Sequence, residues 1–94
     1  MLTFDIGETV ICSCEIKDDS GNYKDPTTSM KITIKRVDPT RASVVTDTAM
    51  TPDSTGKYHY DCQTVDYPEG KYEITYTATD GTRITIEKET FKLG

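Results

Sequence analysis

The stretch Gly70-Lys71-Tyr72-Glu73-Ile74-Thr75-Tyr76-Thr77-Ala78-Thr79-Asp80-Gly81 decides the fold. Tyr72, Ile74, Tyr76 and Ala78 share one parity, and Glu73, Thr75, Thr77 and Thr79 share the other. Successive side chains of a β-strand point to opposite faces, so the alternation describes a strand with an apolar face on a core and a polar face in water. Asp80-Gly81 separates it from Thr82 to Ile86. Asp-Gly between alternating segments is a strong hairpin signal, with positive φ expected at both turn positions.

Beyond the hairpin, Ile84 and Ile86 keep one parity while Phe91 and Leu93 keep the other. That switch predicts a β-bulge between Lys88 and Thr90 that re-aims the chain. Upstream, Thr9 to Ile16 sets Val10, Cys12, Cys14 and Ile16 on one face and Thr9, Ser13 and Glu15 on the other, with Ile11 the apolar exception. Met30, Ile32 and Ile34 alternate with Lys31, Thr33 and Lys35 until Asp38-Pro39 stops the strand. A weaker extended segment covers Val44 to Met50, and Thr51-Pro52-Asp53-Ser54-Thr55-Gly56 reads as a turn. A strand follows it, with Tyr58, Tyr60 and Cys62 on one face and Lys57, His59 and Asp61 on the other. Residues 17–28 are dense in turn formers, and Asp25-Pro26 cannot lie in a central ladder. With about seven short antiparallel strands and no helical periodicity, the expected fold is all-β, a two-sheet sandwich forming a single domain over residues 1–94.

Composition points the same way. The 94 residues suffice for one core, and six tyrosines with many threonines favour pleated surfaces over helices. A net charge of −5 without a basic cluster argues against nucleic acid as a partner. No apolar run approaches the ~20 residues of a membrane helix, and Met1 leads into domain-like sequence without a signal peptide, so no membrane partner is expected. Cys12, Cys14 and Cys62 are odd in number, which favours reduced thiols over a disulfide framework.

Gly7-Glu8-Thr9-Val10-Ile11-Cys12-Ser13-Cys14-Glu15-Ile16 resembles the second strand of immunoglobulin domains, in which a glycine precedes alternating core residues and a cysteine; Cys14 falls at the cysteine position. Asp53-Ser54-Thr55-Gly56-Lys57-Tyr58 resembles the turn and tyrosine corner of those domains. The resemblance implies two alternative registers. With Tyr60 as the corner, Cys62 takes the second cysteine position and can bridge to Cys14. With Tyr58 as the corner, favoured by the glycine spacing, Tyr60 falls there and no bridge forms. The absent tryptophan directs the resemblance to bacterial, archaeal and viral immunoglobulin-like modules rather than antibodies. Across nearly the whole chain, Phe4-Asp5-Ile6-Gly7, Asp19-Ser20-Gly21, Asp25-Pro26-Thr27-Thr28, Asp53 to Asp61 and Gly70-Lys71-Tyr72 resemble small immunoglobulin-like proteins encoded among phage and prophage structural genes. Such proteins have a Greek-key sandwich and decorate or join parts of the virion.

The oxygen-rich run Lys17 to Asp25 lacks a glycine where a helix-loop-helix calcium loop requires it, and reads as a solvated turn. Cys12 and Cys14 point into one strand face as small hydrophobes. His59 sits on the face opposite Cys62, so no zinc set forms. His59 and Asp61 have no accompanying nucleophile or oxyanion loop and read as a solvated face. No catalytic, cofactor-binding or metal-ligating residue is therefore expected. Tyr58, Tyr60, Tyr72 and Tyr76 read as core, which leaves Tyr23 and Tyr67, both in loops, as candidate contacts. Lys31, Lys35, Glu73, Glu87 and Glu89 form either a docking patch or cross-strand pairs, and the pairs are the simpler reading.

The resulting expectation is a non-enzymatic virion structural or accessory protein, in the virion or in host cytoplasm before assembly. It would be monomeric in isolation and would bind protein partners through loops and strand edges. The alternative is one module of a larger secreted or cell-surface adhesion protein, with Cys14 and Cys62 oxidised. A hydrolase would require a cleft gathering ionisable groups, and the sequence shows none.

Overall fold

The computed structural model describes residues 2–94. Eight strands run through them: β1 (Leu2–Phe4), β2 (Thr9–Glu15), β3 (Ser29–Asp38), β4 (Ala42–Ala49), β5 (Thr51–Ser54), β6 (Lys57–Gln63), β7 (Gly70–Asp80) and β8 (Arg83–Leu93). They form a five-stranded sheet in the order β1-β8-β7-β3-β4 and a three-stranded sheet in the order β2-β6-β5. The core draws on both: Val10, Cys12 and Cys62 from the small sheet, and Met30, Ile32, Ile34, Tyr72, Ile74, Tyr76, Phe91 and Leu93 from the large one. The fold is all-β and sandwich-like.

β7 carries the clearest alternation because it is bonded on both sides, to β3 and to β8, and covered on one face. Tyr72, Ile74, Tyr76 and Ala78 are between 0% and 6% exposed. Burial of this apolar face is the main local reason the segment is a strand, since propensity alone is a weak determinant. The hairpin that follows is displaced by one residue from its expected position. Asp80 pairs with Arg83, the turn is Gly81-Thr82, and of these two only Gly81 has positive φ, 64°. Glycine at the first central position alone is the type II′ pattern, which asks less of the second residue than an Asp-Gly turn.

The expected bulge in β8 does not occur. β7 and β8 pair residue for residue from Gly70 with Leu93 to Asp80 with Arg83, without a register shift. Phe91 and Leu93 face the core, so Glu87 and Glu89 share their side, while Ile84 and Ile86 face outward at 62% and 57% exposure. The change of polarity along β8 marks where cover by the opposing sheet ends, since every residue from Arg83 to Glu89 is exposed. The register shifts lie instead between Ile32 and Lys35 opposite β4, between Arg36 and Asp38 opposite β7, and beside Pro52 opposite β6.

Two strands had no legible period. β1 is three residues long and runs parallel to the end of β8, where the Gly94 N–H reaches the Phe4 carbonyl at 3.0 Å. β5 lies in the segment expected to be a turn; it is an edge strand of the small sheet, a position that tolerates Pro52.

The hydroxyls of Tyr58 and Tyr72 have different partners. The Tyr58 hydroxyl reaches the Asp25 carboxylate at 3.1 Å, whereas the Tyr72 hydroxyl, at the start of β7, donates to the Pro68 carbonyl at 2.6 Å. β6 lies beside β2 in the same sheet, with Cys14 opposite Tyr58 and Cys62 opposite Val10. Cys14 and Cys62 are thus separated by about 13 Å along the ladder, at about 3.3 Å per residue, far beyond the ~7 Å limit for a bridge. All three cysteines are free.

Candidate functional site

Three connections meet at one end of the molecule: residues 17–28, the turn between β5 and β6, and the β7–β8 hairpin. The first is ordered from within. Asp18 Oδ1 accepts the Ser20 and Asn22 N–H groups at 2.9 and 3.0 Å, and the Asp18 N–H donates to the Asn22 carbonyl at 2.8 Å. An aspartate closing its own turn in this way explains why the segment folds without a regular ladder. The Lys24 N–H closes the base of the loop on the Ile16 carbonyl at 3.0 Å, and the Ile16 N–H joins it to the second connection at the Gly56 carbonyl, 2.7 Å away. Gly56 is buried with φ 73°, and a Cβ there would stand 2.5 Å from the Ile16 oxygen. Asp25 Oδ1 accepts both the Gly56 N–H, at 2.7 Å, and the Tyr58 hydroxyl.

The third connection is clamped by Asp80. Its carboxylate takes the Thr27 hydroxyl and the Lys24 ammonium, the latter at 3.0 Å, and the Thr28 hydroxyl oxygen accepts the Gly81 N–H at 3.1 Å. The Thr27 hydrogen bond, reinforced by Lys24, holds the Asp80 carboxyl below its ordinary pKa.

This scaffold fixes Tyr23, one of the two candidate contacts. The residue is 41% exposed, and the Lys17 and Lys57 ammonium groups lie over its ring, 5.1 and 4.7 Å from the centroid. Its hydroxyl donates to Glu15 at 2.8 Å, and that bond pushes the phenol pKa up. An exposed ring flanked by cations is suited to contact rather than reaction. Tyr67, the other candidate, is held differently. It is half-buried, its ring stacks on Tyr72 at 5.9 Å, and the Cys62 thiol points at its hydroxyl, 3.8 Å away.

The remaining candidates are local pairs. Nδ1 of His59 lies 2.6 Å from Asp53 on the neighbouring strand, not beside Asp61, which is exposed. Lys35 faces Glu73 across β3 and β7, Lys88 reaches Glu73 at 4.0 Å, and Lys31 reaches Asp47 at 3.6 Å. Glu89 accepts the Tyr76 hydroxyl at 2.5 Å. Burial raises the Cys12 thiol to about 12 and the Cys14 thiol to about 11, and pushes Cys62 up as well. The thiolate is the reactive form, so at neutral pH these groups serve as packing. Among the described residues no three His, Cys, Asp or Glu side chains gather as a metal site.

No family model, curated protein or solved structure matches the chain. No helix among the described residues is long and apolar enough to cross a membrane.

Two features escaped the sequence reading. Thr64 is fully buried; its hydroxyl donates to the Glu8 carbonyl at 2.6 Å and accepts the Gly7 N–H at 3.0 Å, pinning the β1–β2 connection. A lone threonine after a strand carries no pattern that announces this. The second is the outer edge of β8, which β1 covers only at Phe91 to Leu93. Its signal was present in the unmatched parity of Ile84 and Ile86.

Proposed function

We propose that the protein is an immunoglobulin-like, Greek-key domain of a phage or prophage virion, a structural or accessory component that binds protein partners and performs no reaction. The observation that carries the reading is the strand order, β1-β8-β7-β3-β4 against β2-β6-β5. Variable-type immunoglobulin sandwiches divide their strands in the same way, with strands B, E and D in one sheet and G, F, C and C′ in the other. The Tyr72 hydroxyl bond to the Pro68 carbonyl supports it, because a tyrosine corner sits at the start of the sixth strand of that division and bonds a few residues upstream.

The non-catalytic part of the reading is supported by protonated, packed thiols and by charged side chains that satisfy one another in pairs. The virion role rests on the resemblance of the turn motifs. Asp19-Ser20-Gly21 and Asp25-Pro26-Thr27-Thr28 belong to the ordered loop end that displays Tyr23. Mass spectrometry of density-purified particles induced from the source organism, compared with its envelope fraction, tests the assignment. Stoichiometric peptides in the particles are expected. Peptides confined to the envelope would contradict it and favour a module of a surface protein.

A further inference from the structure

β1 lies beside β8 only at Phe91, Lys92 and Leu93, and from Arg83 to Thr90 no described strand pairs with its outer edge. The direction of each peptide group follows from the bonds. The Gly94 N–H reaches β1, and Arg83 closes the tight turn opposite Asp80, so even-numbered residues of β8 address the outer edge and odd-numbered ones address β7. Ile84, Ile86 and Lys88 therefore present unpaired N–H and C=O groups to solvent. Proteins blunt such edges with proline, bulges or inward charges. This edge has no proline and no bulge, its two isoleucines are exposed, and its core-side charges are of both signs, Arg83 with Glu87 and Glu89.

We infer that this edge pairs antiparallel with the same edge of a second copy, making a two-fold dimer whose large sheet is continuous across both chains. Charge and shape select one register: Arg83 opposite Glu87 of the second copy, Ile84 opposite its Ile86, and Thr85 opposite its Thr85. Symmetry repeats each unlike pair. The even-numbered isoleucines then exchange the hydrogen bonds, as the direction of their peptide groups requires. Neighbouring registers are poorer. Placing Glu87 on the two-fold axis opposes like charges, and axes at Ile84 or Ile86 leave the other isoleucine against a threonine or a lysine. The second copy is the occupant because the edge is complementary to itself in charge and in apolar pattern, whatever the role of the protein in a particle. The dimer departs from the monomer expected of the sequence.

Sedimentation equilibrium from about 1 μM to about 1 mM covers the range of a modest interface. The wild-type chain is expected to show a reversible monomer–dimer equilibrium. Arg83→Glu, at an exposed position, should weaken it about tenfold or more, since two favourable cross-strand pairs become like-charged. The double variant Arg83→Glu/Glu87→Arg should return to within about threefold of wild type, because the exchanged charges oppose again only in this register. Ile86→Pro, which removes an edge N–H and no bond to β7, should abolish the dimer; circular dichroism verifies that each variant is folded. A wild-type chain that is monomeric throughout, a species that grows beyond the dimer, or a double variant as weak as Arg83→Glu would each overturn the inference.

Discussion

Replacing Tyr72 by phenylalanine removes one hydroxyl and leaves the packing of the ring in place. The ring is fully buried between Tyr67 and Phe91, with centroids at 5.9 and 5.2 Å and interplanar angles of 17° and 9°. Phenylalanine keeps that stack, so the loss is confined to the 2.6 Å bond to the Pro68 carbonyl. A hydrogen bond of this kind contributes a net ~0.5–1.5 kcal/mol. The expected cost of Tyr72→Phe is about 1 kcal/mol, or about 4–8 °C in Tm for a domain of this size. Tyr72→Ala, which empties the stack, should cost about 3–5 kcal/mol. Urea unfolding with both variants separates the two contributions. Unchanged stability in Tyr72→Phe would refute the role of the hydroxyl, and a loss equal to that of Tyr72→Ala would refute the division between hydroxyl and ring.

Other expectations concern the loop end and the thiols. Gly56→Ala meets both positive φ and a carbonyl oxygen 2.5 Å from the new Cβ, whereas Gly81→Ala meets positive φ in open space. Thermal melts should therefore show a loss above about 2 kcal/mol for the first and about 1 kcal/mol for the second. Asp80 has a lowered folded-state pKa, so its contribution is present above its ordinary 3.8 and disappears as pH falls through the folded value. Asp80→Asn should flatten the acid limb of the stability profile measured by urea midpoints. Cys12 and Cys14 are raised from 9.0 to about 12 and about 11, so the folded state holds their protons longer than the unfolded one. Stability should be undiminished by them below pH 9 and fall as pH rises towards 11 and 12, with Cys12→Ala reducing that slope. A thiol-specific reagent should find three thiols in the unfolded chain and label the native protein slowly.

What could be read in advance was whatever a repeating period or a turn chemistry encodes. β2, β3 and β7 alternate over several residues with one covered face, and the structure buries most of the apolar parity in each, whereas in β6 only Cys62 is buried and Tyr58 and Tyr60, expected in the core, are half-buried like His59 on the other face. β1 is too short to show a period, and β5 lies in a proline-containing run whose strand character comes from a neighbour. Parity predicts a bulge in β8 only if every apolar residue of the strand belongs to one core. Two of them belong to an uncovered surface instead, and that depends on how far a distant segment extends over the sheet. The cysteine geometry was legible only as alternatives, because which strands are neighbours is a property of topology and not of spacing. Tyr23 was identifiable as a loop aromatic, but its fixation by Glu15, Lys17 and Lys57 depends on contacts that no local pattern predicts.

The most direct test of the account is amide hydrogen exchange along β8, read residue by residue by NMR at low and at high protein concentration. In the dilute protein the Thr85, Glu87 and Glu89 amides should be protected by β7, while those of Ile84, Ile86 and Lys88 exchange freely. Concentration should then protect the Ile84 and Ile86 amides as well. Loss of the alternation between Lys88 and Thr90 would contradict the unbroken register of β8. Protection of Ile84 and Ile86 already in the dilute monomer would contradict the open edge.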